Sequence, residues 1–128
     1  MADPTAQVRS GTYRRDLNRC ISCGTTDGLT YHHRQASGMG GNPVRPTMPE
    51  GLTACMICNA AFEAELQTAA LRFGWKVRRW VKNPARVPVF DAVAGYWVVL
   101  HQTEPERRRV PQRVAQRMMR DVYGKEVT

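Results

Sequence analysis

Apolar and polar positions change their spacing several times along the chain, and each change predicts an element. Residues 1 to 17 are polar, with Gly, Pro and Ser, and read as a loose tail. ISCGTTDG, from Ile21 to Gly28, has the Gly and Asp of a tight turn and a hairpin corner. LTYHHR follows, with β-branched and aromatic residues that predict a short strand. QASGMGGNPVRPTMPEG carries four glycines and three prolines, which exclude a regular element and predict a long loop. Leu52 and Thr53 then read as a brief return strand.

Beyond Cys55 the spacing becomes helical. Phe62, Leu66, Ala69, Ala70 and Phe73 predict one helix from about Met56 to Phe73, with Gly74 as its stop. WKVRRWV alternates weakly and reads as a strand, KNPARVPVFDA as a turn-rich connection, and GYWVVLH as a second strand. EPERRRVPQRVAQRMMRDVYG reads as a C-terminal helix, with Pro111 in its first turn and Gly124 as its stop. Val114, Met118 and Val122 form its apolar stripe, and Arg113, Arg117 and Arg120 face away. Docking on the core, pairing with a partner and lying along a nucleic-acid backbone all suit that pattern. No internal repeat is visible.

The elements describe a small α+β protein: a hairpin and helix, a second hairpin, and a last helix. The length of 128 residues suits one domain, from 18 to 103, between an N-terminal tail (1–17) and a basic helix (104–128). A net charge of +8 favours an anionic partner, with nucleic acid first, over a merely solvated basic surface. Six basic residues and no acid lie between Arg72 and Arg86, with Trp75 and Trp80 among them. Those two rings suit either base stacking or the core, and large aromatics more often pack inward. The N-terminus has no apolar stretch of the signal-peptide kind, and no run is long enough to cross a membrane. A reducing cytoplasm is the expected setting, where paired cysteines more often bind metal than form disulfides.

Those cysteines are the strongest chemical signal. Cys20 and Cys23 form one CxxC pair and Cys55 and Cys58 another, about thirty residues on. Two such knuckles supply the four thiolates of a closed structural zinc site; free thiols or two disulfides are the alternatives. Knuckle, hairpin, then a knuckle that opens a helix is the order of a treble-clef zinc module. His32 and His33 lie between the pairs and, as strand neighbours, point to opposite faces. Asn59 and Glu63 share one face of the helix, which meets the histidine strand if zinc joins helix and hairpin. A His, an Asn oxygen and a carboxylate suit Mg²⁺ or Mn²⁺, whereas hydrogen-bonded structural roles are the plainer reading of each residue.

CISCG, YHHR, GMGG, CMICN and FEAE, with RFGW and GYWVVL behind them, resemble the phage-type HNH endonucleases of the ββα-metal, or His-Me finger, group. The resemblance covers about residues 18 to 101. It implies a DNA endonuclease encoded by a phage or prophage and working in the bacterial cytoplasm. It makes His33 the general base that activates water. His32, Asn59 and Glu63 would hold the catalytic Mg²⁺ or Mn²⁺, and zinc on the four cysteines would build the scaffold. Arg34, Arg72, Lys76, Arg78, Arg79, Lys82, Arg113 and Arg117 are the expected DNA contacts, and phage packaging proteins are further partners. A catalytically decayed protein of the same fold, binding nucleic acid or a protein without cleavage, is the rival. Two positions depart from the family pattern. Glu50 stands where an asparagine ties down the loop, and Asn59 where the last motif histidine is usual.

Overall fold

In a computed structural model, residues 2–36 and 43–124 are described. The GMGG segment and much of the expected long loop lie outside them. The chain forms a small α+β protein with four α-helices and two small antiparallel sheets. β1 (Leu29–His33) and β2 (Gly51–Cys55) make the first sheet, in register from Leu29 opposite Cys55 to His33 opposite Gly51. α2 (Met56–Ala61) follows β2 directly, and α3 (Gln67–Arg72) comes five residues later. The second sheet has the order β3 (Val89–Asp91), β4 (Tyr96–Leu100), β5 (Arg107–Val110). Among the described residues, no helix is long and apolar enough to cross a membrane.

Four expectations change. Residues expected to be a loose tail form α1 (Ala6–Arg15), capped by Thr5, whose hydroxyl accepts from the Val8 N–H at 3.1 Å. α1 escapes a periodicity reading because it buries Gly11, Thr12 and Arg15 rather than aliphatic residues. Arg15 and Asp16 pair at 2.9 Å with their side chains almost wholly enclosed. Asp16 accepts from the Thr53 N–H at 2.9 Å, and Arg15 donates to the Met48 and Gly51 carbonyls. These bonds clamp α1 across β2.

The long helix from Met56 to Phe73 is two helices. The Leu66 N–H reaches back to the Ala61 carbonyl, a five-residue step that widens the turn between α2 and α3. WKVRRWV is not a strand, because its donors already have other partners. Lys76 N–H goes to Ala70 O and Val77 N–H to Arg34 O. The turn-rich connection supplies β3 in its place. Finally, Arg107–Val110, expected to be helical, is strand β5; Val110 precedes Pro111, a position that disfavours helical backbone.

The main core joins Ile21, Leu52, Phe62, Trp75, Val89, Val98 and Leu100, between the two sheets and α2. α4 (Gln112–Tyr123) docks through a second cluster of Val77, Val81, Val87, Met119 and Tyr123. Its buried line is Ala115, Met119 and Tyr123, and the expected stripe of Val114, Met118 and Val122 is the half-buried shoulder of that contact.

Removing one member of a buried ion pair strands the other charge. Asp16→Ala is expected to cost about 3–5 kcal/mol of folding free energy in urea titrations, whereas a loose tail would make the change neutral.

Candidate functional site

The first CxxC pair sits in a turn closed by two backbone bonds, Cys20 N–H to Thr25 O and Gly24 N–H to Cys20 O. The Ile21 N–H donates to Thr53 O at 2.9 Å, which lays this turn against β2. Cys55 ends β2 and caps α2, and its sulfur accepts from the Cys58 N–H at 3.4 Å. All four sulfurs lie within 4.8 Å of one another, and Cys23 and Cys55 are 3.8 Å apart. Zinc–sulfur bonds of about 2.3 Å give a tetrahedron with edges of about 3.8 Å. The four thiols are free, three of them are buried, and together they could hold a metal such as zinc. Burial works to raise the Cys20 thiol, but hydrogen bonds from the backbone around Cys23, Cys55 and Ser22 hold it below its ordinary value. Cys58 is pushed well up, by burial first and then by Cys55.

At the far end of the hairpin, the structure brings His32 and Asn59 together. The His32 ring is 2% exposed and packs edge-on against Phe62. Its Nε2 is 2.7 Å from the Trp75 carbonyl, so that nitrogen carries the proton and donates. Its Nδ1 is 3.0 Å from the Asn59 Oδ1, and the Asn59 amide donates to the Thr30 hydroxyl, which donates to Ala54 O. Burial, above all, lowers the His32 pKa to about 4, so the ring is neutral at pH 7. A neutral ring has one N–H, so its Nδ1 lone pair faces the Asn59 oxygen, another acceptor. Turning the amide over lets its N–H donate to Nδ1, and its oxygen then accepts from the Thr30 hydroxyl, which rotates to suit. The His32 ring and the Asn59 amide are thus hydrogen-bond partners at 3.0 Å.

His33 lies on the other face, half-buried and edge-on to Tyr31. Its Nε2 is 2.9 Å from the Ala2 carbonyl, which holds the proton there and leaves the lone pair on Nδ1. Sequence reasoning missed Ala2, a backbone contact from a segment expected to be loose. Glu50 caps its own short turn, its Oε1 accepting from the Thr47 N–H at 3.1 Å and hydroxyl at 2.8 Å. Glu63 does not join His32 and Asn59 by a direct contact; it pairs with Lys76 at 2.8 Å.

The expected DNA contacts divide. Arg72, Arg78, Arg79, Lys82, Arg113 and Arg117 are exposed. Lys76 is buried against Glu63. Arg34 is a correction: it is fully buried, and its guanidinium donates to the carbonyls of Pro49, Gly74, Pro84 and Val87 at 2.8–3.1 Å. It is a structural cation with no donor left for phosphate. Trp75 belongs to the core, with its indole N–H on Phe90 O, whereas Trp80 is 61% exposed.

Comparison of the chain with protein-family profiles, with curated proteins and with solved structures gives no match.

Two outcomes are expected. Titration with Co²⁺ should give one thiolate-bound tetrahedral ion per chain by visible absorption, and Cys55→Ser should lose it. For His32, the sign follows from its depressed pKa. Between about pH 6.5 and 4 the unfolded chain binds a proton that the folded chain refuses, so stability falls as pH drops. Wild type should lose about 2 kcal/mol more than His32→Gln between pH 7 and pH 5, measured by chemical unfolding.

Proposed function

We propose that the protein is a metal-dependent DNA endonuclease of the HNH type, built on a zinc-held treble-clef ββα-metal core. The observation that carries this reading is the closeness of His32 Nδ1 and the Asn59 side-chain amide, 3.0 Å apart beside the hairpin. Neighbouring ligands of an octahedral Mg²⁺-type ion, bound at 2.0–2.1 Å, are separated by about 2.9 Å. A divalent cation there would be held by the His32 Nδ1 lone pair and the Asn59 oxygen in place of their mutual hydrogen bond. Such an ion would supply charge stabilisation for the transition state and the leaving 3′-oxygen.

The chain's own groups support the remaining roles. His33, with its proton held on Nε2 by the Ala2 carbonyl, presents Nδ1 as a base for water. Glu50 caps the turn that leads into β2 through its bonds with Thr47, a local role for the position where the family pattern has asparagine. The exposed arginines and Lys82 would hold the phosphate backbone, with affinity that falls steeply with salt. Zinc at the four cysteines would hold the hairpin and α2 together and take no part in cleavage.

A second reading rests on the closure of His32. The ring is almost wholly buried, and Glu63 is committed to Lys76 rather than to the histidine. Both features favour a nucleic-acid-binding protein that has kept the fold and lost turnover.

Nicking of supercoiled plasmid separates the two. Cleavage in Mg²⁺ or Mn²⁺ should stop with EDTA, and His33→Ala should slow it at least about a hundredfold while binding persists. Wild-type protein that binds DNA and nicks it in neither metal establishes the second reading.

A further inference from the structure

Trp80 occupies a position that its own fold does not require. The Val81 N–H donates to Arg78 O at 3.1 Å, which closes a four-residue turn with Arg79 and Trp80 at the tip. Turn tips favour Gly, Asn and Asp, and nothing in the backbone there asks for an indole. The turn is nevertheless firmly held. The Arg78 N–H donates to the Tyr123 hydroxyl at 3.1 Å, and the Gln35 amide donates to the carbonyls of Arg78 and Val81. Val77 and Val81, on either side, are buried in the cluster that seats α4. Tyr123 meets the indole edge-on, with centroids 5.5 Å apart and planes at 85°. That contact steadies the ring while leaving it 61% exposed.

The surroundings are cationic. Arg78, Arg79 and Lys82 are all exposed, and no acid occurs between Arg72 and Arg86. Arg120 stands one turn before Tyr123 on α4 and is also exposed. A steadied, exposed indole with cations on both sides of it in its turn is complementary to a flat π-system carrying negative charge. In duplex DNA the faces of the bases are covered by their neighbours, so an indole face can stack only on a base that has left the helix or never entered one. A lipid surface fits less well. The tip offers one apolar side chain rather than an apolar face, since Val77 and Val81 turn inward.

We propose that the Arg78–Val81 turn is a binding site for an unpaired nucleobase, with Trp80 stacking on the base and Arg78, Arg79 and Lys82 holding the flanking phosphates. The site prefers single-stranded, flipped or frayed DNA or RNA to intact duplex. It rests on the nucleic-acid part of the proposed function and is independent of cleavage.

The test is fluorescence anisotropy with the full chain, using a labelled oligothymidylate, a labelled duplex of equal length and vesicles of phosphatidylcholine with phosphatidylserine. Trp80→Ala should weaken binding of the single strand roughly tenfold and leave duplex binding little changed. Trp80→Phe should retain most of the affinity, and the oligothymidylate should quench tryptophan emission in wild type more than in Trp80→Ala. Circular dichroism of each variant should match wild type, since the side chain is exposed. Equal losses for single strand and duplex, or no loss for either, overturn the inference and leave the endonuclease reading intact. Vesicle binding that depends on Trp80, with oligonucleotide binding that does not, overturns it in favour of a lipid surface. A wild-type protein that binds neither nucleic acid overturns the inference together with the nucleic-acid reading itself.

Discussion

The buried guanidinium of Arg34 is the constraint around which the other elements are arranged. It leaves β1 at the residue after His33 and donates to four carbonyls from three separate segments: Pro49 before β2, Gly74 after α3, and Pro84 and Val87 before β3. Among the described residues no carboxylate pairs with it. Burial, with Arg15 nearby, lowers its pKa to about 9, so it remains charged at neutral pH. A charge enclosed in this way is tolerable only while its donors are satisfied. Any movement of those segments would leave an uncompensated cation, which gives the loops the rigidity of a core. Gly74 is part of the same arrangement. Its φ is +74°, and a Cβ there would run into the Pro88 carbonyl, so only glycine lets the chain pass close enough to offer its carbonyl to Arg34.

The first hairpin is therefore anchored at both ends by different chemistry. Four cysteines gather at the Leu29–Cys55 end, where a metal such as zinc fits. Arg34 and the Arg15–Asp16 pair hold the His33–Gly51 end. His32 and His33 sit beside the second anchor, and each has a partner from outside the hairpin: Trp75 and Asn59 for His32, Ala2 for His33. That is how adjacent histidines on one strand acquire different environments, one sealed and held neutral, the other half-buried with a fixed tautomer.

Charge follows the same separation of inside from outside. Asp16 faces Arg15, and Asp91 lies 2.8 Å from Arg107 and 3.8 Å from Arg19. Glu50 caps its own turn, and Glu63 answers Lys76. With these acids engaged locally, the exposed arginines of the 72–86 segment and α4 leave a cationic surface.

Features that depend on local spacing were legible in the chain itself. The two CxxC pairs predicted a four-sulfur cluster, because a two-residue gap turns both sulfurs one way. The β-branched and aromatic residues around His32 predicted β1, and the Pro111-to-Gly124 frame predicted α4. Asn59 and Glu63 were expected to share the helix face that meets the histidine strand; Asn59 reaches His32, whereas Glu63 turns to Lys76. What escaped the sequence were features whose cause lies far along the chain. α1 buries Thr12 and Arg15 rather than apolar residues, and Arg15 reaches the Met48 and Gly51 carbonyls far along the chain, so no apolar period announces it. Trp75–Val81 alternates like a strand, yet its donors are taken by Ala70 and Arg34, and β3 and β5 complete the sheet instead. Arg34 looked like a surface cation because arginine usually is one, and only four distant carbonyls converging on it make it a core residue. Composition could place two tryptophans in a basic stretch; tertiary packing alone decided that Trp75 would fill the core and Trp80 would face the solvent.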